Sequence, residues 1–147
     1  MAKIKFIKFF SSLDKRGRKD FKKFTESSYF NNGRDYSQIV VEIEKLMPKQ
    51  LKTSAFINSL SENLKLSQRA VWNRLSELVK LSETFAVIKV LEIRKDLSNN
   101  LAASYFLDAS QYDLYEQKAK ANLRSLKDSK IGIDSTYLFY ELLQLHG

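Results

Sequence analysis

The chain has 147 residues, 44% of them apolar and 12% aromatic, which is enough for one packed domain, while four glycines and one proline are too few for a turn-rich β-sandwich or barrel. The complete lack of cysteine excludes disulfides, thiolate metal sites and cysteine nucleophiles. The formal net charge of +8 is concentrated at one end: residues 1–23 hold nine basic side chains against two acidic ones, and the remainder holds sixteen against fifteen.

The opening MAKIKFIKFF is basic and apolar, but Lys5 and Lys8 interrupt the apolar run and no small-residue cleavage site follows. No stretch is long and apolar enough to cross a bilayer, so the expected compartment is cytoplasmic. Ile4, Ile7 and Phe10 or Leu13 recur at helical spacing, with Phe6 and Phe9 broadening the stripe, and predict a first helix from about Lys3 to Ser11. Asp14 then suits the N-cap of a second helix with Phe21 and Phe24 on one face. Lys15, Arg16, Arg18, Lys19, Lys22 and Lys23 crowd that helix and are the candidate anion or phosphate site. A solvated face on a core-packed helix is the plainer reading, and attachment to an anionic membrane the weakest.

Ser27 to Gly33 is a loop by composition. From Asp35 or Ser37 a helix carries Ile39, Val40, Ile43 and Leu46 inward and ends before Pro48. Another short helix from Thr53 or Ser54 bears Phe56, Ile57 and Leu60. Leu60, Leu64, Leu66, Val71 and Leu75 occupy the apolar positions that hold two crossed helices together, with a turn at Lys65 and Leu66 and a cap at Ser67. This is a helix-turn-helix pattern. In it Gln68, Arg69, Asn73 and Arg74 stand where base edges or phosphates are met: Gln68 is suited to adenine and Arg69 to guanine. Lys65 stands where such turns favour glycine, and Trp72 falls on the groove side, although packing beside Leu75 and Val79 in a core is its more ordinary use.

Ser67 also opens a long amphipathic spine reaching about Asp96, with Val71, Leu75, Leu78, Val79, Ala86, Val90 and Ile93 on one face at 3.6-residue periodicity and Phe85 and Ile88 widening the apolar arc towards a second side from Leu81 onward. A β-hairpin wing over residues 85–107 ranks second, because RKDLSNN has no glycine and the alternation is poor. Asn99 and Asn100 read as a break, followed by a short helix over Leu101–Leu107. Ser110 is the expected cap of the next helix, with Tyr112, Tyr115, Ala119 and Leu123 or Leu126 inward. A last helix opens at Asp134 or Ser135, and its apolar face would favour a dimer or a longer protein.

These features predict an all-α fold of seven or eight helices in one domain, residues 1–147: basic N-terminal helices over 1–32, the helix-turn-helix and spine over 33–97, and C-terminal helices over 98–147. Short helix pairs around one long helix suggest tetratricopeptide-like stacking or a helix-turn-helix corner. Phe21-x-x-Phe24, Ser27-Ser28-Tyr29-Phe30-Asn31, Leu75-Ser76-x-Leu78 and Glu83-x-Phe85 together resemble a group of uncharacterised, mostly helical bacterial proteins with an N-terminal Ser-Pro-Tyr-Phe-Asn motif. Here Ser28 replaces the motif's proline, and Ala86 stands where leucine is usual. The resemblance implies a helical fold and either the N-terminal part of a longer protein or a short version of one, and it brings no activity or cofactor.

His146 is the single histidine and the four glycines lie far apart, so neither a His-based catalytic or metal site nor a phosphate-cradling loop is expected. The leading expectation is a non-enzymatic helical scaffold, without cofactor, that binds a protein partner or itself. The alternative is a DNA-binding helix-turn-helix protein with its basic end on phosphates.

Overall fold

A computed structural model describes residues 4–128 and residue 144. The fold is all-α: α1 (Lys5–Ser12), α2 (Lys15–Glu26), α3 (Ser37–Leu46), α4 (Thr53–Leu64), α5 (Gln68–Ile93), α6 (Lys95–Asp108) and α7 (Tyr112–Asp128), with one 3-10 turn at Met47–Lys49 and no strand among the described residues. The chain divides into two compact units, Met1–Val87 and Ile88–Gly147, and the boundary falls inside α5. The expected final helix from Asp134 lies outside the described residues.

In the first unit, the apolar stripes of α1 to α5 converge on one core. Asp14 caps α2 as expected, its Oδ1 accepting a hydrogen bond from the Gly17 amide at 2.6 Å. Phe6, Phe9, Phe10, Phe21, Phe24, Phe30 and Phe85 form a connected ring cluster centred on fully buried Phe21, whose centroid lies 5.2–6.2 Å from those of Phe6, Phe9, Phe10, Phe24 and Phe85. The following loop is tied down by buried Asn31. Its Nδ2 donates to the Thr25 carbonyl at 2.8 Å, and its Oδ1 accepts from the Gly33 amide at 2.9 Å. Pro48 ends α3 by opening the 3-10 turn.

The spine is shorter than expected, and its expected face is turned inward from Val71 to Val79 but not beyond. α5 has 26 residues, and its buried positions are Val71, Leu75, Leu78, Leu81, Ser82 and Phe85. Val71, Leu75, Leu78, Ser82 and Phe85 follow one another at alternating spacings of four and three residues, and this seam takes in Phe85 and leaves its neighbour Ala86 outside. Ala86, Val90 and Ile93, expected inside, are exposed. The wing does not form, since the same residues are helical.

In the second unit the break expected at Asn99–Asn100 falls instead at Arg94, whose φ and ψ of −93° and 79° interrupt the helix. Arg94 forks onto Asp96 in the first turn of α6, with Nε–Oδ1 and Nη2–Oδ2 distances of 3.2 and 3.1 Å. A carboxylate at that turn also complements the helix dipole, and α6 then runs through both asparagines, burying Asn100. α6 and α7 pack through Ala103, Tyr115 and Ala119, small residues alternating with one ring. Tyr115 and Ala119 are inward as expected; Tyr112, expected beside them, is exposed. Ser110 closes α6 in the left-handed conformation instead of capping α7.

Candidate functional site

The α4–α5 corner is built as the apolar pattern implies. Leu60, Val71 and Leu75 are buried, and Leu64 and Leu66 pack partly buried against the same core. Three residues, Lys65 to Ser67, separate the helices. Lys65 takes up the left-handed conformation (φ 52°, ψ 41°) that its place in the turn demands. The Lys65 amide donates to the Glu62 carbonyl at 3.3 Å and the Leu66 amide to the Ser61 carbonyl at 3.0 Å, a Schellman closure made without glycine. Ser67 then caps α5, its Oγ accepting from the Ala70 amide at 3.1 Å. Because a side chain in this conformation carries a steric penalty, Lys65→Gly is expected to stabilise the first unit by about 0.5–1 kcal/mol, readable as a raised urea midpoint.

The four predicted base-contacting residues separate into three kinds. Arg69 and Asn73 are exposed on the outer side of α5. Gln68 is also exposed, but its Nε2 donates to Asn58 Oδ1 on α4, which orients the amide. Arg74 turns to the flank and donates to the Asp35 carbonyl at 3.2 Å. Trp72 is 44% exposed, against the expectation that it packs in the core. It lies on the flank of α5, about 60° around the helix from Leu75, and is only partly covered there. At 3.6 residues per turn, Arg69, Asn73, Ser76 and Lys80 fall within an arc of about 60°, with Trp72 about 40° beyond it, over about 17 Å of helix. All five are exposed.

Charge follows the division into units. The first unit contains 17 basic and 9 acidic residues and the second 8 of each, so the formal excess of +8 lies wholly in the first. On α2, Lys15, Arg16, Lys19 and Lys23 are exposed. Lys22 is spent on an ion pair with Glu44 of α3, and Arg18 lies 5.4 Å from the Phe10 ring centroid with its Nε donating to the Leu13 carbonyl at 3.1 Å. Thus four of the six predicted anion-site residues form a solvent-facing group and two are structural. α2 reaches α5 through Phe85, about 24 Å along the helix from Arg69.

Sequence reasoning did not find the group beside α5 formed by Arg34, Tyr36 and Glu77. The Arg34 guanidinium pairs with Glu77, and the buried Tyr36 hydroxyl donates to Glu77 Oε2 at 2.6 Å. The hydrogen bond from Tyr36, supplemented by Arg34, holds the Glu77 carboxyl below the ordinary carboxylate range. Burial, then the neighbouring carboxylate, pushes the Tyr36 phenol up. No local pattern announces this group, because the sequence separation from Tyr36 to Glu77 is 41 residues. Stability follows with opposite signs at the two ends of the pH scale. Glu77's contribution is present above the unfolded carboxylate pKa of about 4.3 and is lost as pH falls through its lower folded value. Tyr36's contribution is present below the unfolded phenol pKa of about 10 and is lost as pH rises through its higher folded value. Urea midpoints across pH should therefore decline at both ends. Glu77→Gln should flatten the acid limb, and Tyr36→Phe the alkaline one.

Among the described residues no group of His, Asp and Glu side chains is placed to hold a metal ion, and no helix is long and apolar enough to cross a membrane. Compared with protein-family models, with curated proteins and with solved structures, the chain matches none.

Proposed function

We propose that this chain is a non-enzymatic helical interaction module whose first unit docks on duplex nucleic acid through the outer face of α5. The observation that carries this reading is the exposed stripe Arg69–Trp72–Asn73–Ser76–Lys80, which begins immediately after a helix-turn-helix corner. A helix fits the major groove, where an arginine fork can bind guanine O6 and N7, and an asparagine amide can bind adenine N6 and N7. The indole offers apolar surface to a thymine methyl. The basic excess of the first unit supplies the sequence-independent attraction. Four exposed cations on α2 extend that attraction as a general anion surface.

The test is fluorescence anisotropy of a labelled mixed-sequence duplex titrated with the full chain at low salt. Saturable binding that weakens with added salt and with Arg69→Ala supports the reading. Absence of binding at low salt sinks it. If binding is lost only on substituting Lys15, Lys19 and Lys23, α2 and not α5 carries it.

A second reading, a scaffold for a protein partner or for self-association, is supported by apolar residues exposed in the second unit. Ile93 is 81% and Tyr105 71% exposed, and Val90, Leu101, Tyr112 and Leu114 are exposed as well. The second unit has no net charge to oppose association. Sedimentation of the full chain, with and without Ile93→Glu and Tyr105→Glu, tests the self-association form of this reading.

A further inference from the structure

The turn before α3 runs along one flank of α5 and is held there by three bonds. Arg34 and the Tyr36 hydroxyl both bind the Glu77 carboxylate, and Arg74 Nη1 donates to the Asp35 carbonyl at 3.2 Å. Gly33 makes the approach possible: its φ of 76° is one that side-chain-bearing residues rarely adopt. Between this turn and the helix lies an open cleft of about 490 Å³. Phe30 and Leu81 line it, together with polar groups from Asn32, Arg34, Lys80 and Thr84.

Three features give the cleft a chemical preference. Both Glu77 oxygens are engaged, one by Arg34 and one by Tyr36, so the carboxylate faces its own partners. The Arg34 side chain remains 62% exposed, and a guanidinium carries five N–H donors, so this one has donors left for a second acceptor. Lys80 stands one turn beyond Glu77, exposed, with no ion-pair partner among the described residues. A fork and an ammonium, flanked by the Asn32 amide, suit a tetrahedral oxyanion with several acceptor oxygens, while the Thr84 hydroxyl donates to the Lys80 carbonyl at 3.3 Å. Phe30 and Leu81 suit an apolar body attached to it. Lys80 also ends the exposed stripe of α5, so the cleft continues that surface.

We infer that this cleft is a phosphate site, in which Arg34 and Lys80 bind a backbone phosphate of the duplex docked on α5 and fix how far the helix is slid along the groove. The inference rests on the docking mode proposed above. Arg34 and Lys80 act here as phosphate ligands, and Glu77 and Tyr36 as positioning residues for Arg34.

The experiment is the salt dependence of duplex affinity for the full chain and for Lys80→Gln, Arg34→Lys and the double variant Arg34→Ala with Glu77→Gln. The double variant is used because Arg34→Ala alone would leave the Glu77 carboxylate without its cation, facing the phosphate with only the Tyr36 hydroxyl bound to it. Far-UV circular dichroism and the urea midpoint verify that each variant is folded. For Lys80→Gln and for the double variant, the slope of log affinity against log salt should be shallower by about 0.9 for each phosphate no longer neutralised. Affinity should fall by a similar factor on every duplex sequence tested, and Arg34→Lys should keep the slope of the parent. Duplex binding that depends on Arg69 but has unchanged slopes in both variants overturns the phosphate site and leaves the docking mode intact. No duplex binding by the parent chain overturns both. Thermal stabilisation by millimolar inorganic phosphate that Lys80→Gln abolishes, with duplex slopes unchanged, assigns the cleft to a free phosphate and overturns its role on the duplex.

Discussion

Phe21→Ala is expected to cost the first unit about 3–5 kcal/mol, the largest effect on stability of any single substitution proposed for this chain. The Phe21 ring is fully buried and lies against five other phenylalanine rings from α1, α2 and α5. Truncation removes the transfer energy of the ring and leaves a cavity whose walls, themselves rigid rings fixed on three helices, can collapse only partly. The informative comparison is Trp72→Ala. Tryptophan is the larger side chain, and if it filled a core its loss would cost about as much as that of Phe21. With Trp72 44% exposed, the expected cost is under about 1 kcal/mol. Urea denaturation followed by far-UV circular dichroism should therefore show Phe21→Ala with a much lower midpoint and Trp72→Ala close to the parent. The reverse order would mean that α5 is rotated relative to the face described.

Arg69→Ala is the substitution with the largest expected effect on binding. A well-placed arginine fork contributes about 1–3 kcal/mol of discrimination against the wrong base, which corresponds to roughly 5- to 150-fold in affinity for a preferred duplex. Stability should hardly move, because Arg69 is exposed and the cap and turn that open α5 are made by Ser67 and Lys65. The loss should depend on sequence: large on duplexes the parent prefers, smaller on the rest. Substitution of Lys19 on α2 should instead weaken binding evenly across sequences, as expected of a cation acting on backbone charge. Anisotropy titrations over a small panel of duplexes separate the two patterns.

The parts of this molecule that were legible in sequence are those decided within one or two turns of chain. Asp14 caps α2, Pro48 ends α3, Ser67 caps α5, and the spacing from Leu60 to Leu75 builds the α4–α5 corner. Lys65 is instructive, because an unfavourable turn residue did not prevent the turn: two backbone bonds and the packing of Leu66 outweigh a penalty of about 1–2 kcal/mol. What could not be read was decided by contacts distant in sequence. Phe85 is turned inward, with its neighbour Ala86 outside, by Phe9, Phe21 and Phe24 arriving from the other end of the unit. Trp72 was expected inside because of its size, yet the register fixed by Val71 and Leu75 leaves it outside. The Asn99–Asn100 pair has a turn-like composition, and the helix still runs through it because Arg94 and Asp96 form the break several residues earlier. Of the candidate site, Arg69 and Asn73 were visible from spacing alone. Arg34, which reaches α5 by pairing with Glu77, was not.

Trp72 is the only tryptophan in the chain, so its fluorescence reports on one point of the α5 stripe without any label. The most direct test of the central claim is to follow Trp72 emission while an unlabelled duplex is titrated into the full chain under conditions where anisotropy shows saturable binding. If the outer face of α5 is the docking surface, emission should be quenched along the same saturation curve, and Arg69→Ala should shift both curves together. Saturation by anisotropy with Trp72 emission unchanged would contradict the account and place the nucleic acid on another face of the protein.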